Sequence, residues 1–175
     1  ALNTIASFVR TDPDRARELI LEFADFTRYS FRSSGPYTVL ADELRNIDRY
    51  LTLERARFGP HLSVTLRVAP EVLNVVVPFL ALQPLVENSI KHGLEPQIAG
   101  GRIEVSARRD GNLLVLSVHD SGVGLGASGA SGDTHFGLQQ VRERLRTLYG
   151  NRAGLGLQDA IGGGTLARIH LPLNA

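Results

Sequence analysis

The chain has 175 residues, 43% hydrophobic and 21% charged, the balance of an ordinary globular protein of one large or two small domains. Nineteen basic against eighteen acidic residues leave a net charge of +1, which gives no support to a nucleic-acid partner. The absence of Cys excludes a disulfide framework, thiolate chemistry and Cys-ligated zinc, and no apolar run approaches the roughly 20 residues of a membrane helix. A helix-like pattern starts at Ala1, so no signal peptide is expected in this stretch, and the lack of any Met leads to the expectation of a piece or processed form of something longer. Eighteen of the basic residues are Arg, a bias that genome composition explains; the one lysine, Lys91, stands inside a polar cluster.

Residues 1–58 read as helices. Thr11-Asp12-Pro13-Asp14 combines a capping side chain, a first-turn proline and acidic residues that suit the helix dipole. Ala16, Leu19, Ile20, Phe23, Phe26 and Thr27 then recur at three- and four-residue spacing, one apolar stripe. Ser33-Ser34-Gly35-Pro36 stops that helix. A second stripe runs Leu40, Leu44, Ile47, Leu51, Glu54, Phe58 and ends at Gly59-Pro60. There the period changes. Leu62, Val64, Leu66 and Val68 alternate with Ser63, Thr65 and Arg67, the mark of a half-buried strand. Helices are expected over 78–93 and 136–149, the latter closed by Gly150-Asn151. Strands are expected over 102–108 and 113–119, joined by the hairpin signal Asp110-Gly111-Asn112, and over 155–161 and 165–171, joined by Gly162-Gly163-Gly164. The mixture predicts a sheet with helices on one face, and a boundary that divides the chain into 1–59 and 60–175. Residues 124–132, all Gly, Ala, Ser and Leu, read as a mobile loop.

At 100° per residue, Leu82, Leu85, Val86 and Ile90 fall on one arc of the 78–93 helix, and Glu87, Asn88, Lys91 and His92 on the other. That second arc is either a solvated face with a Glu87–Lys91 pair, or a magnesium–phosphate site built from an amide oxygen, an ammonium and a carboxylate. Asp120 ends an apolar strand and is followed by Gly122 and Gly124, which makes either a strand-ending turn or an acceptor approached closely by a ligand. Gly162-Gly163-Gly164-Thr165 is either a tight hairpin or a pocket wall bearing one hydroxyl. Arg142 and Arg144 either reach toward phosphates or coat a solvated helix. His61, His119 and His170 read as surface or packing residues, and His135 as solvated.

In this order, the Asn88 helix, Asp120-x-Gly-x-Gly, a glycine-rich lid, Gly137-Leu138 and Gly162-x-Gly-Thr165 resemble the GHKL ATP-binding superfamily. More closely, Leu82-Gln83-Pro84-Leu85-Val86-Glu87-Asn88-Ser89-Ile90-Lys91-His92-Gly93 looks like the asparagine box of LytS/YehU-type sensor histidine kinases. Tyr50-Leu51-x-Leu53-Glu54, Arg57-Phe58-Gly59 and Val141-Arg142-Glu143-Arg144-Leu145 are similar to further boxes of that family. The resemblance implies an α+β fold: a helical dimerisation and histidine-phosphotransfer arm over 1–59, then over 60–175 a Bergerat two-layer α/β sandwich with a mixed sheet and helices on one face.

The resemblance also implies roles. Asn88 is to hold Mg²⁺ on the ATP phosphates, Glu87 to orient or activate the acceptor, and Lys91 and His92 to face phosphates. Asp120 is to accept from the adenine amine, with Thr165 close by through water. Gly122 and Gly124 shape the adenine pocket, while Gly137, followed by Leu138, hinges the lid at about 125–135. The implied reaction passes the γ-phosphoryl of Mg·ATP to a histidine and on to a response-regulator aspartate. The implied partners are that regulator and a second copy through the helical arm, with no nucleic acid and with membrane contact only through other parts of a cytoplasm-facing membrane sensor. Two features depart from the family. His135-Phe136-Gly137-Leu138 replaces a lid glycine, and the family's Pro-His-Phe-Leu-Phe-Asn acceptor segment is expected just before Ala1, so that the chain alone is not expected to label itself. The rival expectation is a GHKL module that binds ATP to gate interactions, or hydrolyses it, without histidine kinase activity.

Overall fold

The computed structural model describes residues 1–32, 35–94, 100–124 and 136–173. Helix α1 (Leu2–Phe8) leads into α2 (Pro13–Ser30). Asp12 caps α2 by accepting the Arg15 N–H at 3.2 Å, and Pro13 sits in the first turn, where no N–H is needed. A short strand β1 (Tyr37–Val39) precedes α3 (Leu40–Phe58), which closes on Gly59 at φ +68°. Strand β2 (Leu62–Val68) follows, and then β3 (Val76–Pro78), antiparallel to β1.

The helix expected over 78–93 starts later than its hydrophobic pattern suggests. Helix α4 covers Gln83–Asn88 and continues as a wider π-helical turn over Ser89–Leu94. Val75-Val76-Val77 favours extended backbone, and Pro78 drives its predecessor out of the helical region, so the chain pairs as a strand before it coils.

The main sheet adds β4 (Gly101–Asp110), β5 (Leu113–Asp120), β6 (Gly154–Asp159) and β7 (Thr165–Pro172) in the order β2-β4-β5-β7-β6. β2 and β4 are parallel and the other pairs antiparallel, so the sheet is mixed. The β2–β4 crossover carries α4, as a parallel connection requires. Helix α5 (Phe136–Tyr149) precedes β6. One sheet face is apolar: Ile103, Val105 and Ala107 lie beside Leu114, Leu116 and Val118, and these beside Ala167, Ile169 and Leu171, all buried. Against it pack Leu82, Leu85, Val86 and Ile90, Leu138, Val141 and Leu145 of α5, and Leu40, Leu44, Ile47 and Leu51 of α3. The other face carries Arg67, Glu104, His119 and Arg168, so the fold is α+β with its helices on one face. The edge strand β2 keeps its alternation, but Leu66 stays 41% exposed.

Helix α3 faces two ways. Its Leu53 joins Ile5, Ala16 and Leu19 in a small second cluster, with Phe23 and Phe26 packed against it. Ile20, placed in the α2 stripe by spacing, points outward and is 51% exposed. Between the clusters lies a carboxylate. Glu43 of α3 is 1% exposed, and its Oε1 accepts the Tyr29 hydroxyl and the Leu80 N–H, each at 2.7 Å. Leu80 has φ +57°, a left-handed conformation that a branched side chain adopts only under constraint. Arg144 Nη2 donates to the neighbouring Phe79 carbonyl, and Arg32 lies over the Tyr29 and Phe79 rings.

Two outcomes follow for stability. Burial is the largest influence on Glu43 and holds its carboxyl above the ordinary value of 4.5, against the Leu80, Tyr29, Arg144 and Arg32 contributions that lower it. The folded protein therefore binds the Glu43 proton more tightly than the unfolded chain, and that stability is lost as pH rises above 4.5 through the folded value. Glu43→Gln removes this dependence. Urea titrations of both proteins from acid to neutral pH should show the wild type losing stability relative to the variant; a difference constant with pH would contradict the assignment. Gly164, at φ +84°, has no room for a Cβ, which would lie 1.8 Å from the Asp120 carbonyl oxygen. Gly164→Ala should destabilise by roughly 2–4 kcal/mol, read as a fall in Tm of several degrees.

Candidate functional site

The site is built on the outward arc of α4 and its π-helical extension. Leu82, Leu85, Val86 and Ile90 anchor the element in the core. Glu87, Asn88, Lys91 and His92 emerge together and line a cleft of about 130 Å³ with Pro84 and with Gly137 and Leu138 at the start of α5. The six sequence-predicted residues of this cleft therefore share one surface. The alternative of a Glu87–Lys91 pair does not form: Glu87 Oε1 instead accepts from Gln83 Nε2 at 2.9 Å, while Lys91 is exposed.

Asp120 stands at the inner end of β5, opposite Thr165 of β7 and beside Ile103 of β4. It is 2% exposed, and its Oδ1 accepts the Gly122 N–H at 2.9 Å. Burial pushes its carboxyl up from the ordinary aspartate range; hydrogen bonds from the Gly122 N–H, the Ser89 hydroxyl and the Thr165 N–H oppose the shift. Through Ser89, Asp120 is tied to the residue next to Asn88, so the two predicted clusters meet at one helix. The Gly122–Gly124 segment turns away beyond it, with Gly124 at φ +81° and Asp159 Oδ1 3.0 Å from where its Cβ would be. The turn reading of Asp-x-Gly-x-Gly is realised, since the carboxylate accepts the Gly122 N–H within the turn; Asp120 lines a hollow with Arg102, His119 and Ser121, separate from the cleft on α4.

Arg142 and Arg144 do not simply coat a solvated helix. Arg142 Nε donates to Leu155 O and Arg144 to Phe79 O, and both are partly buried. His61 is exposed, and His119 and His170 are half-buried on the outer sheet face, in line with surface and packing roles. The expected lid at 125–135, with His135, lies outside the described residues. Sequence spacing missed Gln83, Ser89, Glu43 and Leu80 as contributors. Their partners lie on other elements, and Gln83 was legible only as part of the Leu-Gln-Pro run.

Comparison with known proteins places this geometry. The histidine kinase family model matches residues 1–62, and the model described as histidine kinase-, DNA gyrase B- and HSP90-like ATPase matches residues 74–175. The sensor histidine kinase BtsS of Escherichia coli is 34% identical over 98% of this chain and 30% of its own length. The sensor protein LytS of Staphylococcus haemolyticus is 32% identical over 98% of this chain and 31% of its own. The chain thus spans about three tenths of the length of these curated relatives. The solved histidine kinase AdeS of Acinetobacter baumannii, 16% identical, shares the fold with a TM-score of 0.58 over 93% of this chain and 80% of that one. With the second family model spanning α4, the Asp120 strand and α5, the chain belongs to the histidine kinase-, DNA gyrase B- and HSP90-like ATPase family.

Proposed function

We propose that this chain is the catalytic and ATP-binding region of a two-component sensor histidine kinase. The observation that carries the reading is the joining of two groups of residues at one helix. Glu87, Asn88, Lys91 and His92 share a cleft, and the buried carboxylate of Asp120 reaches the same helix through Ser89.

Adenine is read at the Asp120 end. Its exocyclic amine donates to the carboxylate, the hydroxyl of Thr165 assists through water, and Gly122 and Gly124 let backbone approach the ring. The triphosphate runs along α4 toward Lys91 and His92, past Gly137 and Leu138 at the start of α5. Asn88 offers one hard amide oxygen, the ligand expected for Mg²⁺ carried mainly by nucleotide phosphates rather than by a protein cage. The metal supplies charge neutralisation on the phosphate oxygens. The Glu87 carboxylate orients the acceptor imidazole, whose nitrogen forms the new N–P bond as the bond from the γ-phosphorus to the bridging oxygen breaks and ADP leaves. The phosphoryl group then passes to a response-regulator aspartate. Exposed Ile20, Leu21 and Phe31 on the helical arm supply an apolar surface for a second copy.

The test is acid-labile, base-stable label from γ-radiolabelled ATP on an acceptor histidine, in the chain or on an added segment carrying Pro-His-Phe-Leu-Phe-Asn. Label that depends on Asn88 supports the reading. Binding of Mg·ATP without any transfer would instead make this an ATP-gated interaction module.

Base selectivity gives an independent outcome. A carboxylate accepts from adenine but repels the carbonyl oxygen of guanine, and an unpaired buried acceptor costs about 1–3 kcal/mol. Calorimetry should therefore find ATP bound roughly ten- to a hundred-fold more tightly than GTP. Equal affinities would remove Asp120 from the base site. Asn88→Asp, which sets a negative charge beside the triphosphate, should weaken Mg·ATP binding in the same experiment.

A further inference from the structure

Gln83 joins the helical arm to Glu87. Its carbonyl Oε1 accepts from Asn46 Nδ2 of α3 at 2.9 Å and from Ser30 Oγ of α2 at 3.3 Å. Its Nε2 donates to Glu87 Oε1 at 2.9 Å. A glutamine amide has one acceptor end and one donor end. With donors from two helices converging on Oε1, the amide cannot turn over without setting N–H against N–H and oxygen against carboxylate. Asn46 is 1% exposed, so the arm side of this chain of hydrogen bonds is buried, whereas Gln83 and Glu87 are half-buried and Glu87 lines the cleft. Gln83 and Glu87 are four residues apart on α4, the spacing at which side chains on one helical face meet. One carboxylate oxygen is thereby occupied, and the rotation of the group is restrained.

We propose that Gln83 is a positioning residue, clamped by Asn46 and Ser30 of the helical arm, that sets the orientation of the Glu87 carboxylate and makes it depend on how the arm is seated against α4. The inference rests on the role given above to Glu87. It adds that the arm, 37 and 53 residues away in sequence, acts on that carboxylate through a single amide.

Two measurements test it. The first is the Glu87 carboxyl carbon resonance in the nucleotide-free chain. Asn46→Ala, which does not touch Glu87, should move that resonance, as should Ser30→Ala to a smaller degree. Ser30→Ala leaves the buried Asn46 amide in place and serves if the Asn46 variant fails to fold. The second is steady-state transfer in the labelling assay. Gln83→Glu keeps an acceptor for Asn46 and Ser30 but sets a carboxylate against Glu87. It should lower kcat by on the order of ten- to a hundred-fold with KM for Mg·ATP unchanged, the pattern of a lost transition-state alignment. A merely structural role would not confine the loss to kcat. A Glu87 resonance unmoved by both arm variants, or an unchanged kcat in Gln83→Glu, overturns the proposal. If the wild type itself transfers no label, the kinase reading fails, and the resonance alone decides whether the clamp exists.

Discussion

A single carboxylate holds the seam of this molecule. Glu43 leaves α3 and is taken out of water between two hydrophobic clusters, where Tyr29 and Leu80 satisfy it and Arg144 and Arg32 lie close. Removing an ionisable group from solvent is unfavourable unless its hydrogen bonds are supplied by the protein. Here they come from two separate stretches, Tyr29 and Leu80, so satisfying the carboxylate fixes the relative placement of α2, α3 and the approach to α4. The left-handed backbone at Leu80 is part of this bargain. The segment leading into α4 adopts an uncommon conformation because the N–H it presents there is needed by Glu43. The charged and amide side chains of the cleft hang from the element that starts three residues later.

The two groups of residues differ in dielectric. Asp120 is buried at the end of β5, where hydrogen bonds are stronger and an unpaired group is costly. Lys91 stands exposed on the cleft, a compact and strongly hydrated ammonium. Ser89, buried, bonds to Asp120 from the helix that also carries Lys91.

The sheet was open to reading because its signals are local. Leu62 to Val68 alternates, Asp110-Gly111-Asn112 marks a hairpin, and the two-residue period recurs in β5 and β7. The outward arc of α4 was equally legible, since Glu87, Asn88, Lys91 and His92 are set by helical phase. The late start of α4 was obscured by Leu82 and Leu85 continuing an apolar run that begins in the β3 valines. Gln83, Ser89 and Glu43 carried no periodic signal, because each acts through a partner on another element. Arg142 and Arg144 show the same limit from the other side: their helix face was readable, while the carbonyls of Leu155 and Phe79 that receive them were set by tertiary packing.

The π-helical turn over Ser89–Leu94 has a consequence for how such a sequence can change length. A π turn is an α-helix that accommodates one additional residue. Deleting a single residue within 89–94 would let the element relax to ordinary α-helix while the residues on either side keep their phase. A deletion within the α-helical residues Gln83–Asn88 meets no such slack, and everything after it would rotate by about 100° relative to what precedes it. Ile90 and Leu94 would then leave the core, and Lys91 and His92 would swing off the cleft. Gaps among relatives should therefore be tolerated within 89–94 before they are tolerated within 83–88.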